Sequence, residues 1–143
     1  MPGEASLAAG QYYAHPRNQF WPILGALLGF EPGIPYAQRV CAVGGARIAV
    51  WDVLQSCERP GSLDSRIVRD SMEPNDFAAL FARCRAIRRV CFNGAMAEES
   101  FRRHVLPALE VGAMELVRLP STSPANASMS TARKLAAWRE ALA

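Results

Sequence analysis

The residue types best suited to chemistry are concentrated in residues 11–21, which read QYYAHPRNQFW. This segment places tyrosine, histidine, arginine and asparagine side chains at the start of a run of apolar residues with helical spacing. Tyr13 is able to stack on a flat base, a contact worth roughly 1–3 kcal/mol where aromatic side chains meet bases. The alternative is an aromatic side chain packed within its own loop, and Tyr13 taken alone slightly favours it.

The other polar residues of this segment each have a structural alternative. Asn18 stands where the N-cap of the following helix is expected, with Pro22 in the first turn, and capping is the favoured interpretation of this residue alone. A lone His15 is more often a structural hydrogen-bonding group than a catalyst, and Arg17 is usually a solvated charge. Chemistry at these positions therefore depends on what the fold places beside them.

Two more polar stretches follow patterns typical of strands. Residues 119–128, LPSTSPANAS, offer hydroxyl groups and backbone amides near a helix start, which suits a phosphate backbone. Serine–proline loops are also common as mere connectors. Residues 52–65 begin at Asp52, and this acid is equally consistent with an acceptor that reads a base edge and with a helix-capping group.

The composition bounds the class of protein. A chain of 143 residues is sufficient for one compact domain that needs no disulfide or metal for its stability. Half of the residues are hydrophobic and 20% are charged, which excludes a disordered chain. The longest apolar stretch, 20–30, is too short to cross a bilayer, and no secretory leader pattern is present. We therefore expect a soluble, cytoplasmic protein.

Arginine dominates the basic residues. Lys134 is the only lysine, so all but one of the 16 basic residues are arginines. Arginine offers a planar fork of donors that suits phosphates and base edges. A GC-rich genome explains the same bias and is the favoured explanation, so a net charge of +3 permits a nucleic-acid partner without requiring one.

The four cysteines do not have the spacing of a metal site. No pair forms a CxxC arrangement, and neither histidine is close in sequence to a cysteine. We therefore expect reduced thiols and neither a zinc site nor an iron–sulfur cluster. Cys41, Cys84 and Cys91 lie in apolar periodic segments, and we expect them to be small core residues.

Helical and strand patterns alternate along the chain. Strands are predicted at 47–52, 88–93 and 114–119. Helices are predicted at 20–28, around 36–42, from 74 onwards, at 95–109 with a bend near Pro107, and after residue 128 to Leu142. Strands separated by helices imply parallel pairing in an α/β sandwich, with chemistry in the loops beyond the carboxyl ends of the strands.

Together these stretches resemble the uracil-DNA glycosylase superfamily, and within it the hypoxanthine-DNA (deoxyinosine) glycosylase family. The resemblance rests on MPGEASL at the start, on YYAHPRNQFW, on WDVL with RPGSLDS, and on LPSTSPA. FNG at 92–94, with Ala97, is similar to the family's next strand-to-helix junction. The resemblance implies a three-layer α/β/α sandwich with a short parallel sheet, and a single DNA glycosylase domain over residues 1–143.

The same resemblance concerns the start of the chain. Family members carry an apolar strand ending in Gly-Ser just before a Met-Pro-Gly turn, and Met1 falls on that methionine. The first strand is therefore expected to be missing, in a chain truncated at its N-terminus relative to the family. We expect poor stability, because unpaired sheet edges result, and a working protein with about twenty additional residues.

The resemblance further implies roles at the reacting nucleotide, which must leave the duplex to reach the enzyme. Tyr13 is expected to stack on the extruded base. Asn18 is expected to orient water for attack on the sugar C1′, since an amide is too weak a base to take its proton. His15 is expected to assist the leaving base. Gly3 and Asp52 are expected to bind the base, with Asp52 accepting from the N1–H of hypoxanthine.

Other side chains are expected to contact the surrounding DNA. By resemblance, the phosphates beside the flipped nucleotide contact Arg17, Ser121, Thr122 and Ser123. Asn126 or Met129 is expected to fill the space that the base vacates, as wedge side chains do elsewhere. The family needs no metal or organic cofactor, which agrees with the cysteine spacing.

The implied function is a monofunctional DNA repair glycosylase that flips out hypoxanthine, hydrolyses its N-glycosidic bond and leaves an abasic site. We expect it to act as a monomer on DNA that contains deaminated bases, without a membrane partner. Removal of uracil or xanthine is the alternative within the enzyme class. A non-catalytic DNA-binding remnant is the alternative outside it, and the missing strand supports that alternative.

Overall fold

A computed structural model describes residues 1–109 and 114–143 of the protein. The contacts of the chain divide it into two compact units. The sheet unit contains Met1 and Asp52–Leu119, and the helical unit contains Pro2–Trp51 and Pro120–Ala143. The expectation of a single domain stays a prediction.

In chain order, the elements are α1 (Glu4–Ala9), α2 (Phe20–Leu28), α3 (Tyr36–Gly45), β1 (Leu54–Ser56), β2 (Glu73–Pro74), α4 (Phe77–Arg83), β3 (Arg89–Asn93), α5 (Ala95–Ser100), β4 (Glu115–Leu119) and α6 (Thr131–Leu142). Short 3₁₀ turns cover Asp64–Arg66 and Arg69–Ser71. The predicted helices and the last two predicted strands are present, but the helix predicted from residue 74 begins at Phe77, and Pro74 lies in β2.

The helical unit is organised around α2. Its apolar residues recur at helical spacing, and those that are buried are Phe20, Trp21, Ile23 and Leu24. The helix ends at Gly29, whose φ of 77° is the left-handed conformation that glycine adopts without strain. Trp138 of α6 packs edge-on against Phe20, with ring centroids 5.7 Å apart. This aromatic contact fixes α6 on α2, next to the polar segment that precedes α2.

The sheet unit contains the predicted parallel pair. β3 and β4 pair in register from Arg89 opposite Glu115 to Asn93 opposite Leu119. Gly94 follows β3 with φ of 98°, which permits the sharp turn into α5. The α/β class with a short parallel sheet is therefore confirmed. β1 and β2 add a small antiparallel pair that the sequence patterns did not predict.

The core of the sheet unit is aromatic. Phe92 of β3 and Phe77 of α4 both pack against Phe101, with ring centroids 5.1 Å apart in each case. Phe101 begins a π-helical turn that continues α5 to Val105, and a 3₁₀ turn completes the helix at Ala108. The hydrogen-bonding pattern thus changes before Pro107, the residue expected to bend the helix.

The prediction of a strand at 47–52 is wrong. No residue of this segment belongs to a strand, and the first strand begins at Leu54. Apolar alternation favours an extended backbone, but a strand also requires a neighbour that takes up its N–H and C=O groups. Among the residues that the structure describes, no strand pairs with this segment.

Two of the three cysteines expected in the core are exposed. Cys41 lies on the outer face of α3, and Cys84 follows the last residue of α4. Cys91 on β3 is half-buried, and burial raises the pKa of its thiol. In the described parts of the chain, no helix is both long and apolar enough to cross a bilayer.

Glu98 links two elements of the sheet unit by charge. It is buried on α5 and accepts hydrogen bonds from Nε of Arg102, at 2.9 Å, and from Nε of Arg118 on β4. Burial raises the pKa of the carboxyl, but the two hydrogen bonds and the two positive charges outweigh it and hold that pKa below its ordinary value of 4.5. The carboxylate therefore stabilises the fold above that pH.

We expect Glu98→Gln to lower the free energy of unfolding at neutral pH by about 1–2 kcal/mol, because both arginines stay partly solvated. The difference from wild type should shrink as the pH falls below 4.5 and through the lower pKa of folded Glu98, where the wild-type carboxyl becomes protonated. Urea unfolding across this range measures both effects. Glu99→Gln, at an exposed position of the same helix, is the matched control. Equal loss in the two variants would contradict the assignment.

Candidate active site

The polar segment before α2 is a turn closed by its own residues. Asn18 N–H donates to the carbonyl of His15 at 2.9 Å, and Arg17 N–H donates to Nδ1 of His15 at 3.1 Å. Because Nδ1 accepts, the proton of the neutral ring is on Nε2. His15 thus presents an N–H donor on the side away from the turn, while the Arg17 side chain is exposed.

Asn18 is half-buried, and its Oδ1 accepts a hydrogen bond from the N–H of Phe20 at 2.9 Å. The Asn18 side chain therefore does hold the start of α2, as the helix-capping alternative predicts. The N-cap residue itself is the next one, Gln19. A backbone N–H is only a donor, so the contact fixes which end of the amide is the oxygen. In the described chain, the Nδ2 group has no hydrogen-bond partner.

Tyr13 adopts a left-handed backbone conformation with φ of 53°. Its ring stacks on Phe20 with centroids 3.9 Å apart and planes 20° apart. The neighbouring backbone is held in turn, because Nε1 of Trp21 donates to the carbonyl of Tyr12 at 2.8 Å. The packed-aromatic alternative is thus realised on one face of the Tyr13 ring.

The serine-rich loop after β4 is held by local hydrogen bonds. Ser121 Oγ accepts from the N–H of Ser123, and Ser123 Oγ accepts from the N–H of Ala125, both at 3.2 Å. Asn126 Nδ2 donates to the carbonyl of Ser121 at 3.1 Å, and its Oδ1 accepts from the Ser128 hydroxyl at 3.2 Å. Both ends of the Asn126 side chain therefore hold the loop, a geometry that does not agree with its predicted use as a wedge.

Thr122 does not have the position expected of a phosphate ligand. Its side chain is 0% exposed, so the predicted contact between this hydroxyl and DNA does not agree with the structure. The sequence did not indicate this burial, because Thr122 stands between two other hydroxyl residues. Those two serines are only half-buried in the structure.

The structure brings the two predicted site segments together. The N–H of Gln19 donates to the carbonyl of Thr122 at 3.0 Å, and the Thr131 hydroxyl lies 3.3 Å from Oε1 of Gln19. The turn that carries Asn18 is thereby attached to the serine-rich loop. Two segments far apart in sequence form one continuous polar surface of the helical unit.

An open cavity of about 270 Å³ lies along this surface. Its lining residues are Arg17, Gln19, Ser123, Pro124, Asn126, Ala127, Met129, Ser130, Thr131 and Lys134. Arg17, Ser123, Asn126 and Met129 were predicted from the sequence. Tyr13, His15 and Asn18 are not among the lining residues.

Lys134 is the lining residue that the sequence analysis did not assign. It is only 3% exposed, and its Nζ donates to the carbonyl of Asn126 at 2.8 Å. Burial lowers the pKa of this amine from its ordinary value of 10.5. The available signal was a lysine four residues before Trp138, on the face of α6 that is buried.

The remaining predicted residues are Gly3 and Asp52. Gly3 precedes α1, and its carbonyl accepts from the N–H groups of Ser6 and Leu7, each at 3.0 Å. Asp52 belongs to the sheet unit, where Oδ1 lies 3.6 Å from the amino group of Met1. Its backbone carbonyl accepts from Nδ2 of Asn75 at 2.9 Å. In the described ranges, no cluster of histidine, cysteine and acidic side chains has the geometry of a metal site.

The family model of the uracil DNA glycosylase superfamily matches residues 1–142. The chain belongs to this superfamily. A protein from Methanosarcina barkeri named hypoxanthine DNA glycosylase is 34% identical over 142 residues, which are 99% of this chain and 85% of the relative. A protein of the same name from Methanosarcina acetivorans is 34% identical over 135 residues, 94% of this chain and 81% of the relative.

A solved structure supports the same superfamily fold. It is the solution structure of a protein from Methanosarcina acetivorans provisionally described as a uracil DNA glycosylase. The two structures superpose with a TM-score of 0.76 at 32% identity, over 97% of this chain and 84% of the other. The predicted uracil-DNA glycosylase-like α/β fold is therefore confirmed.

We expect Asn126→Ala to lower the free energy of unfolding of this superfamily member by about 1 kcal/mol, because Ser121 and Ser128 lose their partner. Urea unfolding measures the change. Ala127→Ser, at the exposed next position, is the control and should unfold as wild type does. An unchanged Asn126→Ala variant would show that these hydrogen bonds do not hold the loop.

Proposed function

We propose that this superfamily member is a DNA repair glycosylase that excises hypoxanthine from DNA and leaves an abasic site. The observation that carries the proposal is the fixed amide of Asn18, which is attached through Gln19 to the serine-rich loop. The names and identities of the two Methanosarcina relatives support the choice of base. We further propose that the two units act as one domain, as a cytoplasmic monomer without a cofactor.

The reaction begins when the deoxyinosine leaves the duplex, since its sugar is otherwise out of reach. We propose that the flipped base stacks on the Tyr13 ring, which itself stacks on Phe20 and is tilted against the ring of Tyr12. The rigid aromatic stack beneath Tyr13 would lower the entropy lost on binding, because Tyr13 is already ordered. The peptide N–H of Gly3 is the proposed group that recognises the base edge, and the role of Asp52 in base binding stays a prediction.

Hydrolysis requires a water molecule directed at C1′. Oδ1 of Asn18 uses one lone pair for the Phe20 N–H, and the second is available to accept a hydrogen bond from that water. The C1′–N9 bond breaks with its electron pair going to the purine, which is protonated as it leaves. The water oxygen bonds to C1′ and releases a proton to solvent, which balances the proton that the purine takes up. An amide does not take this proton itself; it orients the water and stabilises the oxocarbenium-like transition state.

His15 is the proposed donor to the leaving base. Its Nδ1 is occupied by the N–H of Arg17, so the donor that remains in the neutral ring is Nε2–H. A hydrogen bond from this group would stabilise the electron pair that the purine acquires.

The DNA backbone is the proposed partner of the loop and the turn. Ser121, Ser123 and Arg17 are the proposed phosphate contacts, whereas Thr122 holds the loop from a buried position. Met129, which lines the cavity, is the proposed wedge that replaces the flipped base.

The test is incubation of the wild-type protein with duplexes that contain hypoxanthine, uracil or xanthine, followed by alkaline cleavage at abasic sites. We expect product from the hypoxanthine duplex and a rate at least about 100-fold lower for Asn18→Ala, the size of effect seen when a transition-state hydrogen bond is removed. Arg139→Met, at an exposed position of α6 outside the cavity, should retain activity. Product from uracil or xanthine alone would overturn the base assignment, and binding without product would overturn the enzymatic one.

A further inference from the structure

The cavity beside the serine-rich loop has an uneven distribution of charge. Two of its lining residues are cations, Arg17 and Lys134, and no aspartate or glutamate lines it. Within the described chain, neither side chain forms an ion pair with a carboxylate. The cavity is therefore electropositive and has room for an anion.

Lys134 is a buried cation with a single hydrogen-bond partner, which core packing alone does not explain. A lysine ammonium has three N–H donors, and only one of them has a partner, the carbonyl of Asn126 at 2.8 Å. The side chain is 3% exposed, so water satisfies the other two donors poorly. A buried charge without a counter-charge is unfavourable, and an anion in the cavity would remove that penalty.

The start of α6 supplies a second feature of the same sign. The Ser130 side chain caps the helix by accepting from the N–H of Arg133 at 3.4 Å. The N–H groups of Thr131 and Ala132 donate to no described group. Ser130 and Thr131 both line the cavity, so the positive end of the helix dipole lies at its wall.

We propose that Lys134, Arg17 and the first turn of α6 form a subsite that binds one backbone phosphate of the DNA substrate. The inference rests on the proposed function only in that DNA is the source of the phosphate. Lys134 then has two roles, since one N–H holds the loop through Asn126 and the others bind the phosphate. A phosphate there would secure the strand next to Ser123 and Met129.

The dependence of binding on salt tests the subsite without any chemistry. Each phosphate contact adds about 0.9 to the slope of log K against log salt for duplex DNA. We expect Lys134→Met to lower the slope for an undamaged duplex by about that amount. Arg139→Met, on the same helix but outside the cavity, should leave the slope unchanged. A wild-type slope in Lys134→Met would overturn the subsite.

The single lysine of the chain permits a second measurement on the wild-type protein, which decides the question even if Lys134→Met does not fold. Carbon-13 labelling at Cε of lysine gives one side-chain resonance, whose titration reports the pKa of Lys134 directly. We expect that pKa to rise when undamaged duplex is added, because a phosphate stabilises the ammonium form. Inorganic phosphate should produce a smaller rise at higher concentration. A pKa that does not change with DNA would overturn the proposal.

These results are separable from the proposed function. Absence of abasic product from every damaged duplex would reject the glycosylase activity. It would not affect the salt slope or the lysine titration, which use undamaged DNA. Conversely, an active enzyme with an unchanged slope and an unchanged Lys134 pKa would retain the proposed function and reject the subsite.

Discussion

The hydrogen bond from the N–H of Gln19 to the carbonyl of Thr122 is the contact on which the candidate site depends. It joins the start of α2 to the loop that follows β4, and no local preference of either segment could produce it. On one side of the bond, Asn18 is oriented by the N–H of Phe20. On the other, Thr122 is fully buried while the serines beside it stay accessible. Loss of this contact would separate the amide from the residues proposed to hold DNA.

Charge is compensated differently in the two units. In the sheet unit, the buried Glu98 carboxylate has two arginine partners, and its environment is complete without a ligand. In the helical unit, Lys134 is buried against a neutral carbonyl and faces a cavity that contains no acid. An incompletely compensated charge in a cavity is characteristic of binding sites, whereas a compensated one is characteristic of structural pairs. By this reasoning, the Glu98 cluster stabilises the fold, and Lys134 is the charge proposed to bind a ligand.

Local signals predicted much of this arrangement. The helical spacing before Gly29 located α2, and short apolar runs located β3 and β4, because periodicity and turn residues act over a few positions. The prediction of a strand at 47–52 was wrong because strand pairing depends on a neighbouring strand and not on the segment itself. The burial of Thr122 and the role of Lys134 also depend on tertiary contacts. The resemblance to a family implied a role for Asn18, but only the structure shows that the N–H of Phe20 fixes the orientation of its amide.

The central claim is that the Asn18 amide acts on water beyond its structural contact with α2. The most direct measurement is the single-turnover rate on a deoxyinosine duplex for Asn18→Ser, since serine preserves helix capping and removes the amide. The account predicts wild-type thermal stability together with a rate lower by about 100-fold or more. A wild-type rate in a variant with wild-type stability would contradict it and would leave Asn18 with its capping role alone.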